Sequence, residues 1–345
     1  MELRNNELTD KDKFFFANIW VTLYCNYCCS YCYETSDKPN MYMSPDTADS
    51  VVGYVLENAE KENCNAIWLN FHGGEPTLNK DIVKRIIDRI SEEKPDIKLH
   101  TSMTTNCSSL ADDMYDYITE LTVSIDGVRE AHDKNRLNHS GKGTFDVSMK
   151  NALRYLEEYG SKLRLRTVIA PNNVSYVSEG IRYLYELGFR IIVPGVDEFS
   201  EEWTDELFDE LYEQLCIVKE FRRGCDEDTI IGILDDTIKE KGKCYVGCDG
   251  TNISVDGRLY PCTYVVGESE FCIGDVFSGI DEEAVKRIDC INMKEVEACK
   301  GCNYYKYCNS PRCLIVNRKL TGDFYTPSAI VCAEENLKLR LRDYI

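Results

Sequence analysis

Three cysteines on one short segment near the amino end constrain this chain more than any other feature of its sequence. Cys25, Cys29 and Cys32 are spaced C-x3-C-x2-C. Three thiolates on a tight loop suit a [4Fe–4S] cube, but a cube held by protein alone needs four cysteines. The spacing therefore predicts a cluster whose fourth iron takes a ligand from outside the protein.

Two other kinds of site also use cysteine-rich loops. Structural zinc requires four ligands at tetrahedral geometry. Cys28 is available as a fourth ligand, although adjacent Cys28 and Cys29 would strain a single tetrahedral site. A disulfide-bonded loop is the other alternative, and it belongs to an oxidising compartment.

Composition favours metal over disulfides. The 345-residue chain has 18 cysteines but only 4 histidines, so metal ligands are expected to be mostly sulfur, which suits iron–sulfur clusters or zinc. No signal peptide and no apolar run of about 18 residues is present, so we expect a cytoplasmic protein without a membrane span. The formal net charge of −20 argues against nucleic acid as a partner and favours a small molecule or a peptide.

The first half of the chain alternates apolar, β-rich segments with segments of helical periodicity. Six strands that alternate with helices predict parallel βαβ units and an α/β fold. The strands are predicted at 14–24, 66–71, 98–106, 121–127, 162–170 and 189–193, and the helices at 45–61, 82–93, 144–159 and 174–187.

Motifs follow several of these strands. The sequence Gly73-Gly74-Glu75-Pro76 comes after the second strand, and Ser124-Ile125-Asp126-Gly127 comes after the fourth. With the C-x3-C-x2-C segment, they resemble elements of the radical SAM superfamily. The resemblance implies a partial (β/α)6, TIM-like barrel with its chemistry on the loops after the strands. It also implies a [4Fe–4S] cluster on the three cysteines, with S-adenosylmethionine chelated to the open iron.

The same resemblance assigns S-adenosylmethionine contacts to seven residues. Backbone near the two glycines would approach the ligand closely, and Glu75 would accept hydrogen bonds from its ammonium group. Arg136 would form a bidentate pair with its carboxylate; a surface ion pair is the alternative for this residue. Thr105-Asn106-Cys107 departs from the family's T-N-G element at Cys107. The set is Tyr31, Gly73, Gly74, Glu75, Asn106, Ser124 and Arg136.

The last hundred residues are rich in cysteine, glycine and tyrosine. Their spacings, C-x12-G-x4-C and then C-x2-C-x5-C, are similar to those of the SPASM domain, except that four residues, not three, separate Cys308 from Cys313. The resemblance implies two auxiliary [4Fe–4S] clusters, and zinc-ribbon pairs are the alternative. Cys272 is an alternative to Cys248 in the first cluster. The ligand sets are Cys244, Cys248, Cys262 and Cys313 for the first cluster, and Cys299, Cys302, Cys308 and Cys332 for the second.

The predicted organisation has four parts. Between the barrel and the small cysteine-rich SPASM domain, residues 197–213 carry nine Asp or Glu with apolar residues at helical spacing, which predicts a solvated amphipathic bridge. A docking face for a basic leader peptide is the alternative role of this stretch. The parts are a polar segment at 1–13, the barrel at 14–196, the acidic helical bridge at 197–242 and the SPASM domain at 243–345.

The resemblance is strongest to maturases of ribosomally made peptides. It implies that a 5′-deoxyadenosyl radical takes hydrogen from a precursor peptide to give a thioether, C–C or C–O cross-link, with the auxiliary clusters accepting electrons. The alternatives are formylglycine formation as in sulfatase maturases, peptide epimerisation, and a non-catalytic iron–sulfur electron carrier. Thr263 stands where sulfatase maturases carry an aspartate base.

We expect three kinds of partner: a precursor peptide, a reductant such as flavodoxin or ferredoxin, and a source of leader recognition. Only 24 residues precede Cys25, so no winged-helix leader-binding domain is expected before the barrel. Either a separate leader-binding protein presents the peptide, or the peptide binds the barrel directly.

Overall fold

A computed structural model describes residues 8–9, 11–34, 39–236, 239–242 and 251–342 of the chain. A nine-stranded sheet forms its centre, in the order β7-β6-β5-β4-β3-β2-β1-β8-β9. Strands β1 to β6 pair in parallel and in chain order, which confirms the predicted βαβ repeat. The strands are β1 Phe14–Thr22, β2 Ala66–Gly73, β3 Lys98–Thr105, β4 Glu120–Ser124, β5 Arg164–Ile169, β6 Ile191–Val196, β7 Ile230–Ile231, β8 Thr251–Ile253 and β9 Leu259–Tyr260.

Helices connect these strands and continue into the carboxyl-terminal part. The Ser44-Pro45 start of the first helix is confirmed, because the Ser44 hydroxyl accepts a hydrogen bond from Thr47 N at 3.1 Å and Pro45 occupies the first turn. The helices are α1 Pro45–Lys61, α2 Lys80–Glu93, α3 Arg129–Asn135, α4 Phe145–Tyr159, α5 Val177–Glu186, α6 Asp205–Arg222, α7 Gly232–Asp235, α8 Glu282–Asn292, α9 Leu314–Thr321 and α10 Ala329–Leu341.

Two details differ from the sequence predictions. The helix predicted at 174–187 begins as α5 only at Val177, because residues 174–176 belong to a 3₁₀ segment, Pro171–Tyr176, that precedes it. Helix α3 lies in a stretch for which no helix was predicted; it is only seven residues long, too short for an apolar period to be evident.

The predicted boundary at residue 243 does not separate two sheets. Strand β8 pairs in parallel with β1, Ala17 opposite Thr251 and Ile19 opposite Ile253, and β9 then pairs with β8 in antiparallel fashion. The cysteine-rich part therefore extends the barrel sheet beyond β1. Its buried side chains, Ile253 and Leu259 among them, belong to the same hydrophobic core as the barrel strands.

The acidic segment contains the predicted amphipathic helix, α6. Its apolar face buries Leu211, Leu215 and Val218, and it packs against α5 and α10. The ammonium of Lys219 donates to the Leu341 carbonyl at 2.6 Å, which ties α6 to the carboxyl-terminal helix. The segment also contributes β7 to the sheet beside β6, so it is part of the barrel edge as well as a connection.

No helix among the described residues is long and apolar enough to cross a membrane.

Candidate active site at the carboxyl end of the sheet

The cysteine segment leaves β1 and is held in place by backbone hydrogen bonds. Cys28 N donates to Leu137 O at 2.7 Å, and Ser30 N donates to Asn135 O at 3.0 Å. Burial raises the pKa of the Cys29 thiol to about 12, Arg136 lowers it, and the thiols of Cys32 and Cys25 raise it further. The three predicted ligands are therefore within electrostatic reach of one another. A bound metal would favour their thiolate forms.

The donors of the loop are all sulfur. Among the residues that the structure describes, no three His, Cys, Asp or Glu side chains form a site for one metal ion. Three cysteines suit a four-iron cube with one open iron, whereas structural zinc takes four ligands.

The two glycines after β2 are required by the approach of β1. A Cβ on Gly73, whose φ is +129°, would lie 2.1 Å from Thr22 O, and a Cβ on Gly74 would lie 2.1 Å from Tyr24 O. The backbone N–H groups of Gly74 and Glu75 instead donate to these two carbonyls at 3.0 Å. The glycines therefore join the motif to the strand end that carries the cysteines.

Glu75 connects the ends of β2 and β3. Its buried carboxylate accepts hydrogen bonds from Thr77 N at 3.2 Å, and from the hydroxyls of Thr77 and Thr105 and the N–H of Asn106 at 2.6–2.7 Å. Burial raises the pKa of Glu75, and these donors lower it. The side chain lines the site, and its lone pairs already serve four donors, so its observed role is to fix the two strand ends.

Asn106 and Cys107 preserve the geometry of the T-N-G element despite the missing glycine. Cys107 has φ +61°, the left-handed conformation that favours glycine. The Asn106 amide donates to Asn26 Oδ1 at 2.9 Å and to Cys25 Sγ at 3.5 Å. Asn106 therefore contacts the cysteine loop directly, and the backbone turn after it is retained at the cost of placing a side chain in this conformation.

Arg136 is paired within the chain. Its Nε and Nη2 each lie 3.0 Å from an oxygen of Asp126, and the two side chains are 7% and 1% exposed. The Tyr31 hydroxyl also donates to Asp126, and the guanidinium lies 5.3 Å from the Tyr31 ring centroid. The Nε and Nη2 atoms of Arg136 thus engage Asp126, and this ion pair is buried rather than on the surface.

All ten residues predicted for the first cluster and for S-adenosylmethionine line one cavity of about 1770 Å³. The cavity opens among the carboxyl ends of β1 to β6, as chemistry in a βα barrel requires. It continues past these residues toward the carboxyl-terminal part. Further lining residues that the sequence did not indicate are Arg166, Asp197, Glu198, Phe199, Tyr264, Glu334 and Lys338.

The four cysteines predicted for the second auxiliary cluster lie near one another. Burial is the largest cause of the raised pKa of Cys299, and the thiols of Cys332 and Cys302 raise it further. Burial likewise raises the pKa of Cys308 to about 11, and the thiols of Cys332 and Cys299 contribute to this rise. These four side chains come from two separated stretches, residues 299–308 and helix α10. The structure therefore brings together the proposed ligands without a disulfide between them.

The first auxiliary set is described only in part. Cys244 and Cys248 lie outside the described residues. Cys262 and Cys313 both raise the pKa of Tyr264, so both are close to that ring. Cys272 lies near Tyr260, and its Sγ is 3.3 Å from Gly274 O.

Sequence reasoning assigned no role to several residues of the site. Asp126 lies in the Ser124–Gly127 motif, but nothing in its spacing from Arg136 indicates that the two side chains pair. Glu334 and Lys338 are four apart on α10 and follow Cys332, a helical spacing that gives an ion pair. Nothing in the sequence around Glu198 indicates that it faces α10.

Comparison with known proteins agrees with this arrangement. The profile of the radical SAM superfamily matches residues 20–173. An uncharacterised protein of Methanocaldococcus jannaschii is 30% identical over 200 residues, covering 52% of this chain and 67% of that protein. A cysteine-type anaerobic sulfatase-maturating enzyme of Clostridium novyi is 26% identical over 324 residues, covering 83% of this chain and 84% of that protein.

Solved structures show the same fold. Native anSMEcpe with bound AdoMet has a TM-score of 0.77 at 20% identity, over 94% of this chain and 96% of that chain. Streptococcus suis SuiB bound to its precursor peptide SuiA has a TM-score of 0.65 at 16% identity, over 92% of this chain and 75% of that chain. The described cysteine-rich part is thus consistent with a SPASM domain.

The barrel and its cysteine-lined cavity define a radical SAM fold. This chain belongs to the radical SAM superfamily and is an enzyme, and that membership implies a four-iron cluster and S-adenosylmethionine as cofactors.

Proposed function

We propose that this chain is a peptide-modifying radical SAM enzyme that oxidises a residue of a ribosomally made precursor peptide, giving a thioether, C–C or C–O cross-link or a related product. The observation that carries the proposal is the single cavity in which the cysteine loop, the seven expected S-adenosylmethionine contacts and Tyr264 of the cysteine-rich part all meet. Both halves of the chain thus face one reaction space.

Cys25, Cys29 and Cys32 would hold the cluster. When bound, the cluster and S-adenosylmethionine supply a 5′-deoxyadenosyl radical that abstracts a hydrogen atom from the substrate. The Cys29 thiol and the cluster would lie at the cavity wall, where burial raises the pKa of the thiol and Arg136 is the nearby cation that lowers it. The donated hydrogen bond from Asn106 to Cys25 Sγ, at 3.5 Å, fixes one corner of the loop.

The other predicted contacts position the nucleotide. Tyr31 is held by its hydrogen bond to Asp126 and by the guanidinium of Arg136 near its ring, which orients the ring at the cavity wall. Ser124 lies on the same wall. The turn at Gly73 and Gly74 leaves this part of the wall without side chains, so backbone atoms can contact a ligand directly.

The cysteine-rich part would hold two auxiliary clusters that accept electrons. Cys299, Cys302, Cys308 and Cys332 are the ligands of one, and Cys244, Cys248, Cys262 and Cys313 are the ligands of the other. The thiols of the set that contains Cys299 and Cys308 raise one another's pKa values, which supports a shared site for that set. The ring of Tyr264 lies 5.1 Å from that of Tyr33, beside Cys32, so the two cysteine-rich regions adjoin.

The relatives and a second groove support a peptide substrate. SuiB has been solved bound to a precursor peptide, and anSMEcpe with bound AdoMet and the Cp18Cys peptide. An outer groove of about 850 Å³ shares Tyr31, Cys32, Asp197 and Phe199 with the main cavity. A peptide lying in that groove would reach the reaction space, either alone or presented by a leader-binding protein.

Formylglycine formation is the second candidate, because the Clostridium novyi relative is a cysteine-type sulfatase-maturating enzyme. The position after Cys262 argues against it. Burial raises the pKa of the Cys262 thiol, and the Tyr264 N–H and the Thr263 hydroxyl oppose this rise. A threonine hydroxyl does not replace the carboxylate base that the resemblance expects there.

Cofactor loading and S-adenosylmethionine cleavage test the proposal. The chain is reconstituted anaerobically, its iron is counted, and 5′-deoxyadenosine is measured after reduction by dithionite or by flavodoxin. We expect about 12 iron atoms for three clusters. Cys29→Ser should lose about 4 of them and abolish 5′-deoxyadenosine formation, whereas Cys28→Ser, at the neighbouring exposed thiol, should lose neither. Equal effects of the two variants would contradict the assignment.

Mass spectrometry of a co-expressed precursor peptide identifies the reaction. Loss of two hydrogens indicates cross-linking, and unchanged mass with one deuterium taken up from D₂O indicates epimerisation. A sample that holds its clusters but forms no 5′-deoxyadenosine would favour an electron carrier.

A further inference from the structure

A second group of charged side chains lies in the wall of the same cavity. Glu198 follows β6, while Glu334 and Lys338 are one turn apart on α10, and all three line the cavity. None of them belongs to the cysteine loop or to the predicted S-adenosylmethionine contacts. The far part of the cavity therefore has its own chemistry.

The charges in this wall do not balance. Lys338 Nζ lies 2.7 Å from Glu334 Oε1 and 3.4 Å from Glu335 Oε1. Glu335 also accepts a hydrogen bond from Asn309 N at 3.0 Å, and Glu198 is a third carboxyl group beside the same ammonium. Among the described residues, three carboxyl groups thus lie around Lys338, and Arg166, on the Tyr264 side of the cavity, is a further cation. The carboxyl groups outnumber these cations, and unpaired charge is costly where it is buried.

One carboxylate oxygen is left without a donor. The Glu334 side chain is 5% exposed, and its Oε2 accepts no hydrogen bond from the described residues. An unsatisfied buried acceptor of this kind points to a donor that the described residues do not supply. A ligand that brings N–H groups and a positive charge would satisfy both the oxygen and the charge balance.

Glu198 lies close to Glu334 in this wall. Burial and then Glu334 raise the pKa of Glu198 to about 8; Lys338 opposes this, and Glu335 adds to it. Two neighbouring buried carboxyl groups of this kind favour a cation between them.

Aromatic rings complete the wall. The rings of Phe199 and Tyr264 lie 5.7 Å apart and both line the cavity. Glu198 raises the pKa of Tyr264 and Arg166 lowers it, so both charged groups face this ring. Aromatic faces next to carboxylates are a suitable environment for an organic cation.

We propose that Glu198 and Glu334, with Phe199 and Tyr264, form a subsite for a basic side chain of the substrate, a guanidinium or an ammonium group. The inference rests on the proposed function, because it takes the substrate to be a peptide. Charge-assisted hydrogen bonds to the two carboxylates would fix this side chain. Its place in the cavity would then determine which neighbouring residue of the peptide meets the reacting group.

Binding of small amides to the cluster-loaded protein tests the subsite. The probes are the N-acetyl methylamides of arginine, lysine and citrulline; citrulline has nearly the shape of arginine but no charge. Binding is measured by calorimetry, and we expect the arginine or the lysine probe to bind at least about tenfold more tightly than the citrulline probe. One charge-assisted hydrogen bond contributes enough binding free energy for a difference of this size. Glu198→Gln and Glu334→Gln should each remove this preference, whereas Glu201→Gln, at an exposed carboxylate nearby, should retain it.

Each outcome decides the question. Equal binding of both cationic probes and of citrulline to the wild-type chain would overturn the subsite, and so would equal losses in Glu334→Gln and Glu201→Gln. If Glu334→Gln loses its iron, Glu198→Gln and the wild-type probe comparison still decide. S-adenosylmethionine cleavage by the wild-type chain is measured separately, so cleavage with no preference for a cationic probe refutes the subsite alone. Absence of cleavage refutes the proposed function.

Discussion

Replacing Asp126 by asparagine is expected to destabilise the fold strongly. The substitution keeps the shape of the side chain but removes the charge that pairs with Arg136, whose Nε and Nη2 each lie 3.0 Å from an Asp126 oxygen. The two side chains are 1% and 7% exposed, so water cannot solvate the guanidinium that remains. Breaking a buried pair by removing one partner costs about 3–5 kcal/mol, because an uncompensated buried charge is left.

A matched control exists on the surface. Asp49 forms the same bidentate arrangement with Arg85, at 2.7 Å for both contacts, but the two side chains are 31% and 41% exposed. Asp49→Asn should cost only about 0.2–1 kcal/mol, because water screens exposed pairs and solvates the remaining charge. The comparison thus contrasts a buried and an exposed carboxylate that form the same bidentate contact with an arginine.

The assay is anaerobic urea unfolding of the cluster-loaded chain, followed by the fluorescence of Trp20 and Trp68, which lie in β1 and β2. The double variant Asp126→Asn with Arg136→Gln should recover part of the loss, because the unpaired cation is also removed. If Asp126→Asn costs no more free energy of unfolding than Asp49→Asn, the argument from the buried pair is wrong.

Three further outcomes follow from single positions. Gly74→Ala should lower the iron content after reconstitution, because the added Cβ would lie 2.1 Å from the Tyr24 carbonyl oxygen at the start of the cysteine loop. The control is Gly53→Ala in α1, where the added Cβ has open space; it should raise the free energy of unfolding by about 0.5–1 kcal/mol. Cys107→Gly should unfold at higher urea than Cys107→Ala, by about 1 kcal/mol, because φ is +61°; equal stability would contradict this. Burial lowers the pKa of His132 to about 4. The unfolded chain therefore binds more protons than the folded chain between pH 6.5 and 4, so the free energy of unfolding should fall by about 3 kcal/mol as the pH is lowered over that range. In His132→Gln the free energy of unfolding should depend less on pH over the same range.

The sequence alone was sufficient for the parallel order of β1 to β6 and for the ten predicted residues that line the main cavity. Six apolar runs predicted six parallel strands, and each motif at a strand end is at the same edge of the sheet. This follows because strand periodicity is local and because parallel strands bring their carboxyl ends together. The Ser44-Pro45 helix start was predictable for the same reason, since a cap involves only neighbouring residues.

The sequence was less informative where the partner of a group lies on another element. The buried ion pair between Arg136 and Asp126 was not predicted; it forms because α3 brings Arg136 back to the end of β4. Cys107 was taken as a departure from T-N-G, yet its backbone keeps the glycine conformation, because the strand end before it is fixed by Glu75. Neither outcome follows from spacing.

What the sequence by itself determined is the class of fold and the cysteine loop, because periodicity and ligand spacing are properties of short contiguous segments. The tertiary structure alone decided that β8 continues the barrel sheet beside β1 and that Glu198 meets Glu334. These pairings join positions more than a hundred residues apart. Their burial and electrostatic coupling arise only after the chain has packed, when desolvation makes each charge depend on the one beside it.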